Sequence, residues 1–183
     1  LEAKMSQTRL GNQIKETPLS PLEKEAVVGC LLGDGTLTKA GKNYRLRVEH
    51  ASKDKEYVLW KFDLLKRLSI SDVQYVSGHD SYRFGTVGHP EITEMRHLWY
   101  CPVKQVPSDL VLTPMMLAIW FMDDGTRHRD TIDISVHSFS KISLDILRNR
   151  MSLFGIETTI NSDSKGSRLY VLKKSYLRFE RLA

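Results

Sequence analysis

Leu117-Ala118-Ile119-Trp120-Phe121-Met122-Asp123-Asp124-Gly125-Thr126 is an apolar run that ends in two acids, a glycine and a hydroxyl. Upstream, Val27-Val28-Gly29-Cys30-Leu31-Leu32-Gly33-Asp34-Gly35-Thr36 has the same form, with Asp34 and Asp124 separated by 90 residues. Two further landmarks repeat in the same order. Ser52-Lys53 and Ser140-Lys141, 88 residues apart, each open an amphipathic stretch, and Ser81-Tyr82-Arg83-Phe84 faces Ser167-Arg168-Leu169-Tyr170 at an offset of 86. Self-similarity held in register over such a period marks a duplicated structural unit.

Each unit reads helix, two strands, helix, two strands, helix. Ser20-Pro21-Leu22-Glu23 combines a capping hydroxyl, a proline at the first helical position and a capping-box glutamate; the helix then runs to about Gly33. Thr113-Pro114 opens the corresponding helix of the second unit, which Gly125 ends. Alternation follows in both: Tyr44, Leu46 and Val48 against Arg45, Arg47 and Glu49, then Ile132, Ile134 and Val136 against Thr131, Asp133 and Ser135. Period two with one polar face predicts half-buried antiparallel strands. Helices are expected near 54–68 and 141–154, the first with an apolar face of Tyr57, Leu59, Trp60, Leu64, Leu65 and Leu68. Hairpins are expected at 73–77 with 82–87 and at 157–161 with 168–172, with Gly78 and Gly166 in the turns. Terminal helices fall near 90–100 and 174–182. The class is α+β, with helices on one face of the sheets. Trp60, Trp99, Trp120, Met115, Met116 and Met122 read as core.

The 183 residues carry a formal net charge of +5 and a sequence pI of about 9.2, which suits a polyanionic partner without specifying one. Cys30 and Cys101 are too few for a disulfide framework and fit a reducing, intracellular setting, whether an organelle or a bacterial or archaeal cytoplasm. No apolar run approaches the roughly 20 residues that span a bilayer. Leu1-Glu2-Ala3-Lys4 has neither a signal core nor an initiator Met, so residues 1–16 are expected to be an N-terminal extension or an expression remnant. The first repeat is assigned to 17–104 and the second to 105–183.

An all-apolar helix is buried all round, so its last residue is carried to the edge of the core. There the helix's own negative end disfavours a carboxylate, unless a cation sits nearby. Asp34 in one unit and Asp123-Asp124 in the other therefore suggest a shared cation. The plainer alternative is that each Asp-Gly pair only stops its helix and starts a turn; duplication favours the cation. Gly29 and Gly33, four apart, also permit close backbone approach, for which the second helix has only Ala118.

The two runs resemble the paired motifs of LAGLIDADG homing endonucleases, of the double-motif single-chain type encoded in introns, from about Thr17 to Ala183. The second run, with Leu112-Thr113-Pro114 before it, is the closer match; in the first, Leu32 stands where the motif has an acid. The resemblance implies a pseudo-twofold monomer of two αββαββα units, with the motif helices packed at the centre and the sheets forming a saddle over the DNA major groove. It implies Asp34 and Asp124 as catalytic, metal-binding aspartates, helped by the Gly33 and Asp123 carbonyls, and Mg²⁺ as the metal with Mn²⁺ as a substitute. No Cys/His spacing for zinc is present. Lys104 matches the family's basic residue ahead of a motif helix. By the repeat offset its mate falls beyond Ala183, so either the chain is truncated or the two cleavage centres are unequal.

Double-stranded DNA is the expected partner. Lys39, Lys42, Arg45, Arg47, Glu49, Arg83, Arg127, His128, Arg129, Asp133, Ser135, Lys165 and Arg168 are the candidate contacts on strand faces and turns. Arg45 and Arg47 share a face and suit guanine edges. His50 and His137 stand at corresponding strand ends. The implied activity is metal-dependent double-strand cleavage at a long site, as in the homing of a mobile intron. The alternative is a non-cleaving relative such as an intron-splicing maturase or a regulator. A phosphatase built on Asp123 and Asp124 would need a glycine-rich phosphate loop, which neither Gly85–Gly88 nor Gly33–Gly35 provides.

Overall fold

The computed structural model describes residues 2–163 and 166–183; Lys165, one of the expected DNA contacts, lies outside the described residues. The chain divides into two compact units, Leu1–His97 and Leu98–Ala183.

The first unit begins with helix α1 (Glu2–Glu16), in which Ile14 is buried. Helix α2 (Pro21–Leu32) starts where the sequence says it should. Ser20 Oγ accepts from the Glu23 amide at 3.3 Å, and the Glu23 carboxylate accepts from the Ser20 amide at 2.8 Å. From Ala26 to Gly33 every residue of this stretch is buried. Strands β1 (Thr36–Ala40) and β2 (Asn43–Ala51) form a hairpin across Gly41-Lys42. Gly41 has φ +64°, the left-handed conformation that a two-residue turn requires. Helix α3 (Lys55–Leu65) leads to β3 (Gln74–Val76) and β4 (Ser81–Gly85), and α4 (Pro90–Trp99) closes the unit.

The second unit repeats the plan with α5 (Pro114–Asp124), β5 (Gly125–Arg127), β6 (Ile132–Ser135), α6 (Lys141–Leu153), β7 (Thr158–Asp163), β8 (Gly166–Val171) and α7 (Tyr176–Leu182). Both sheets are antiparallel with four strands. The orders are β1-β2-β4-β3 and β5-β6-β8-β7, one topology used twice. This bears out the duplicated αββαββα reading. Gly166, expected in the last hairpin's turn, instead opens β8 with φ +123°.

The alternation in β2 holds: Leu46 and Val48 are buried, Arg45 is exposed and Arg47 is half-buried. Helix α3 packs on β2 and β4, with the rings of Phe62 and Phe84 edge-to-face at 5.4 Å. Its buried residues, with the turn that follows, are Val58, Lys61, Phe62, Leu65 and Leu68. That corrects the expected apolar face, because Trp60 is 37% exposed and Tyr57 half-buried. The stripe is helical in spacing, but one of its positions is a lysine. In the second unit Trp120 is fully buried edge-to-face with Phe139, and Phe121 meets Phe179 on α7. Trp99 and Met116 are core as expected, whereas Met122 is 46% exposed and Met115 half-buried. Among the described residues no helix is long and apolar enough to cross a membrane.

Candidate active site and nucleic-acid interface

The two acidic helix ends are built differently. In the first unit α2 stops at Leu32, Gly33 caps it, and the Gly33 amide donates to the Gly29 carbonyl at 3.2 Å. The chain then folds back so tightly that the Gly35 amide donates to the Cys30 carbonyl at 2.7 Å. A Cβ at position 35 would lie 2.7 Å from that carbonyl, so only glycine fits. This turn places Asp34 outside the helix with its side chain 54% exposed.

The His50 ring, only 10% exposed, stands nearby with Nδ1 4.0 Å from Asp34 Oδ2. On its other side Nε2 is 3.1 Å from Lys61 Nζ. Lys61 is 1% exposed, and its Nζ lies 4.3 Å from the centre of the Tyr57 ring. The sequence singled out His50 but not Lys61. The available signal was a charged residue at the core spacing of Val58, Phe62 and Leu65.

In the second unit α5 runs through both Asp123 and Asp124, which are half-buried, and Gly125 caps it with its amide donating to the Phe121 carbonyl. A Cβ at position 125 would fall inside the Phe121 side chain, so glycine is again required. Thr113 caps the start, its Oγ1 accepting from the Met116 amide at 3.3 Å. His137, the counterpart of His50 at the strand end, is exposed, with Nδ1 2.8 Å from Ser135 Oγ. Lys104 is half-buried in a bridge with Tyr100, its Nζ 5.2 Å from the centre of the Phe139 ring.

Asp34, Asp123 and Asp124 offer hard carboxylate oxygens, and Gly33 and Asp123 have main-chain carbonyls at the helix ends. Oxygen donors of this kind, in each unit taken by itself, suit Mg²⁺ or Mn²⁺ rather than zinc.

Some of the expected DNA contacts are exposed, some are tied to neighbouring groups, and Arg127 and His128 are both. Lys39, Lys42, Arg45, Arg127, His128 and Arg129 are exposed. Arg45, Arg47 and Arg83 line one shallow cavity on the first unit with Asp72 and Gln74. Glu49 pairs across the sheet with Arg83 but gives its oxygens to Arg47 at 2.6 Å and Ser81 at 2.7 Å. Hydrogen bonds from Ser81 and then Arg47 hold its carboxyl down to about 2. In the second unit Asp133 is 2% exposed; one oxygen is 2.6 Å from His128 Nε2 and the other accepts from Arg168 Nη1 at 2.5 Å. Its strand position is polar, yet its oxygens point at its own partners. Asp133, expected as a contact, is a buried anchor for two of them. Ser135, opposite Arg168 in the ladder, is half-buried beside His137, and Arg127 is tied to Glu180.

A second missed group stabilises the start of α2. Arg67 donates to both oxygens of Glu23, at 2.8 and 2.5 Å, and to the Pro18 carbonyl at 3.0 Å. Burial pushes the Glu23 carboxyl up, but the bonds from Arg67 and Ser20 outweigh it and leave it lowered.

These features define a class: a duplicated α+β protein in which an apolar helix in each unit leads into a carboxylate beside a four-stranded antiparallel sheet. The family model for the LAGLIDADG DNA endonuclease family matches residues 24–179, and the chain belongs to that family. The chain is 27% identical over 168 residues to the DNA endonuclease I-ChuI of Chlamydomonas applanata, covering 78% of this chain and 77% of that protein. It is 28% identical over 160 residues to the cytochrome b mRNA maturase bI2 of Debaryomyces hansenii, covering 78% and 60%. The solved structure of the homing endonuclease I-WcaI bound to its DNA recognition sequence superposes with a TM-score of 0.80 at 23% identity, covering 94% of this chain and 85% of that one. The chain spans 26% and 60% of the length of the first curated relatives it matches.

Proposed function

We propose that the protein is a site-specific DNA endonuclease that makes a metal-dependent double-strand break at a long recognition site. The observation that carries this reading is the recurrence of one αββαββα unit, each copy leading the C-terminal end of its apolar helix into an acid, where the helix's own negative end disfavours one. Asp34 and Asp124 are the metal-bearing carboxylates, with the carbonyls of Gly33 and Asp123 as auxiliary donors, and Mg²⁺ is the metal. When bound, the cation stabilises charge on the phosphate and leaving oxygen during hydrolysis. Asp34 is held by the glycine turn after α2 and Asp124 by the last turn of α5, so each carboxylate is positioned within its own unit before DNA arrives. Lys104 supplies a further positive charge.

Arg45, Arg47 and Arg83, with Lys39 and Lys42, are the phosphate and base contacts of the first sheet. Arg127, His128, Arg129, Ser135, Lys165 and Arg168 serve the second, where Asp133 fixes the aim of His128 and Arg168. Glu49 likewise aims Arg47. Affinity comes from the cations and falls with salt; specificity comes from the aimed side chains.

Selection of cut sites from a randomised duplex library in Mg²⁺ tests the proposal, with Asp34→Asn and Asp124→Asn in parallel. A single long site cut by the parent, and bound but uncut by both variants, is the expected result. A site bound but never cut in Mg²⁺ or Mn²⁺ would instead support the second reading, a non-cleaving RNA- or DNA-binding relative, which the similarity to the maturase favours.

A further inference from the structure

We propose that Lys61 is a positioning residue for Asp34, acting through His50; the role of Asp34 rests on the endonuclease reading above. Lys61 occupies a core position of α3 and is 1% exposed. Burial of a lysine head is costly unless it is paired, and here it has two named neighbours, His50 Nε2 at 3.1 Å and the face of Tyr57 at 4.3 Å. The Tyr57 ring also lies 5.1 Å from the His50 ring, so the three side chains hold one another.

A lysine ammonium has only protons to give. The Nε2 atom facing it is therefore the acceptor, and the proton of the neutral ring sits on Nδ1. That nitrogen faces Asp34 Oδ2 at 4.0 Å, beyond direct hydrogen-bond length and within reach through one water. A protonated ring nitrogen has no lone pair for a metal. His50 is thus a donor turned toward the carboxylate, not a ligand beside it. It restrains one oxygen of Asp34, the way outer groups orient a metal ligand. Without the Lys61 ammonium the ring is free to carry its proton on Nε2. It would then present a lone pair, which the carboxylate repels and which would be open to a metal ion.

The test reads the tautomer directly. Correlation of ring nitrogens and carbon-bound protons in the ¹⁵N-labelled full chain, at a pH well above the histidine range, is expected to show His50 with its proton on Nδ1. That state should persist through titration with Mg²⁺ alone, and Lys61→Met should shift it toward Nε2. On the selected DNA site, Lys61→Met should slow single-turnover cutting about 10–100-fold, with DNA affinity in Ca²⁺ unchanged. His50→Gln, whose amide restores a donor, should keep most of the rate. An Nε2 proton in the parent, a tautomer indifferent to Lys61→Met, or a metal-bound ring signature in Mg²⁺ would overturn the proposal. A parent that cuts no DNA would sink the endonuclease reading, and the tautomer would still decide this one.

Discussion

The ends of α2 and α5 descend from one motif, yet they present their acids in different ways. Asp34 lies beyond its helix, more than half exposed, with a histidine beside it and a buried lysine behind that histidine. Asp124 is the last residue of its helix and half-buried; the corresponding histidine is exposed on a serine, and the following helix buries Ser143, Leu144, Leu147 and Met151 without any charged residue. Duplication has kept the topology and the position of the acid while the surroundings diverged. The fold constrains where the carboxylate goes, because an apolar helix and a Cβ-free turn fix it. It does not constrain what stands behind it.

The largest effects should come from the acids themselves. Asp34→Asn and Asp124→Asn should each lower cleavage by about 10²–10³-fold, as loss of one charge-stabilising group does, with DNA binding retained. Strand-resolved cutting assays would then show whether each acid serves one strand or both: a variant that spares one strand separates the two helix ends in function, and equal loss on both strands couples them. Next comes the asymmetry of the histidines: His50→Ala should slow cutting about 10-fold or more, and His137→Ala should leave it near parent level, measured on the same duplex.

The helix starts differ too. Glu23→Ala removes a capping-box partner and leaves Arg67 without its carboxylate, so urea unfolding should show a loss of about 2–3 kcal/mol. Thr113→Ala at the start of α5 removes only a cap, and about 1 kcal/mol is expected. Similar losses would erase the distinction. The smallest effect is in acid. Glu23 and Glu49 both have carboxyls lowered from 4.5 by the folded state, Glu49 to about 2. Their contribution to stability is present above pH 4.5 and is lost as pH falls through the lowered folded values. Unfolding midpoints should therefore decline over that window, and Glu49→Gln should flatten the decline while costing on the order of 1 kcal/mol at neutral pH.

The repeat, the sheet alternation, the cap at Ser20 and the acids were legible because each rests on local spacing or on self-comparison. What escaped has a common cause: it depends on which side chains meet across elements. Lys61 is hidden from the sequence because the apolar spacing of α3 also fits a face through Tyr57 and Trp60, one step around the helix from Val58 and Phe62. Asp133 sits on the polar half of an alternating strand, and nothing in that alternation reveals that His128 and Arg168 enclose it. The Arg67 to Glu23 pair joins residues 44 apart and leaves no periodic trace.

The buried Asp133 has a bearing on any effort to redirect such a protein to a new DNA sequence. On the proposed contact role, Arg168 and His128 would be natural positions to randomise, but each change would strand one oxygen of an enclosed carboxylate, a penalty unrelated to DNA sequence. Variants selected one position at a time would be judged on folding as much as on preference. The three residues should behave as a single letter of the recognition alphabet, to be exchanged together, with Asp133 replaced whenever its basic partners are.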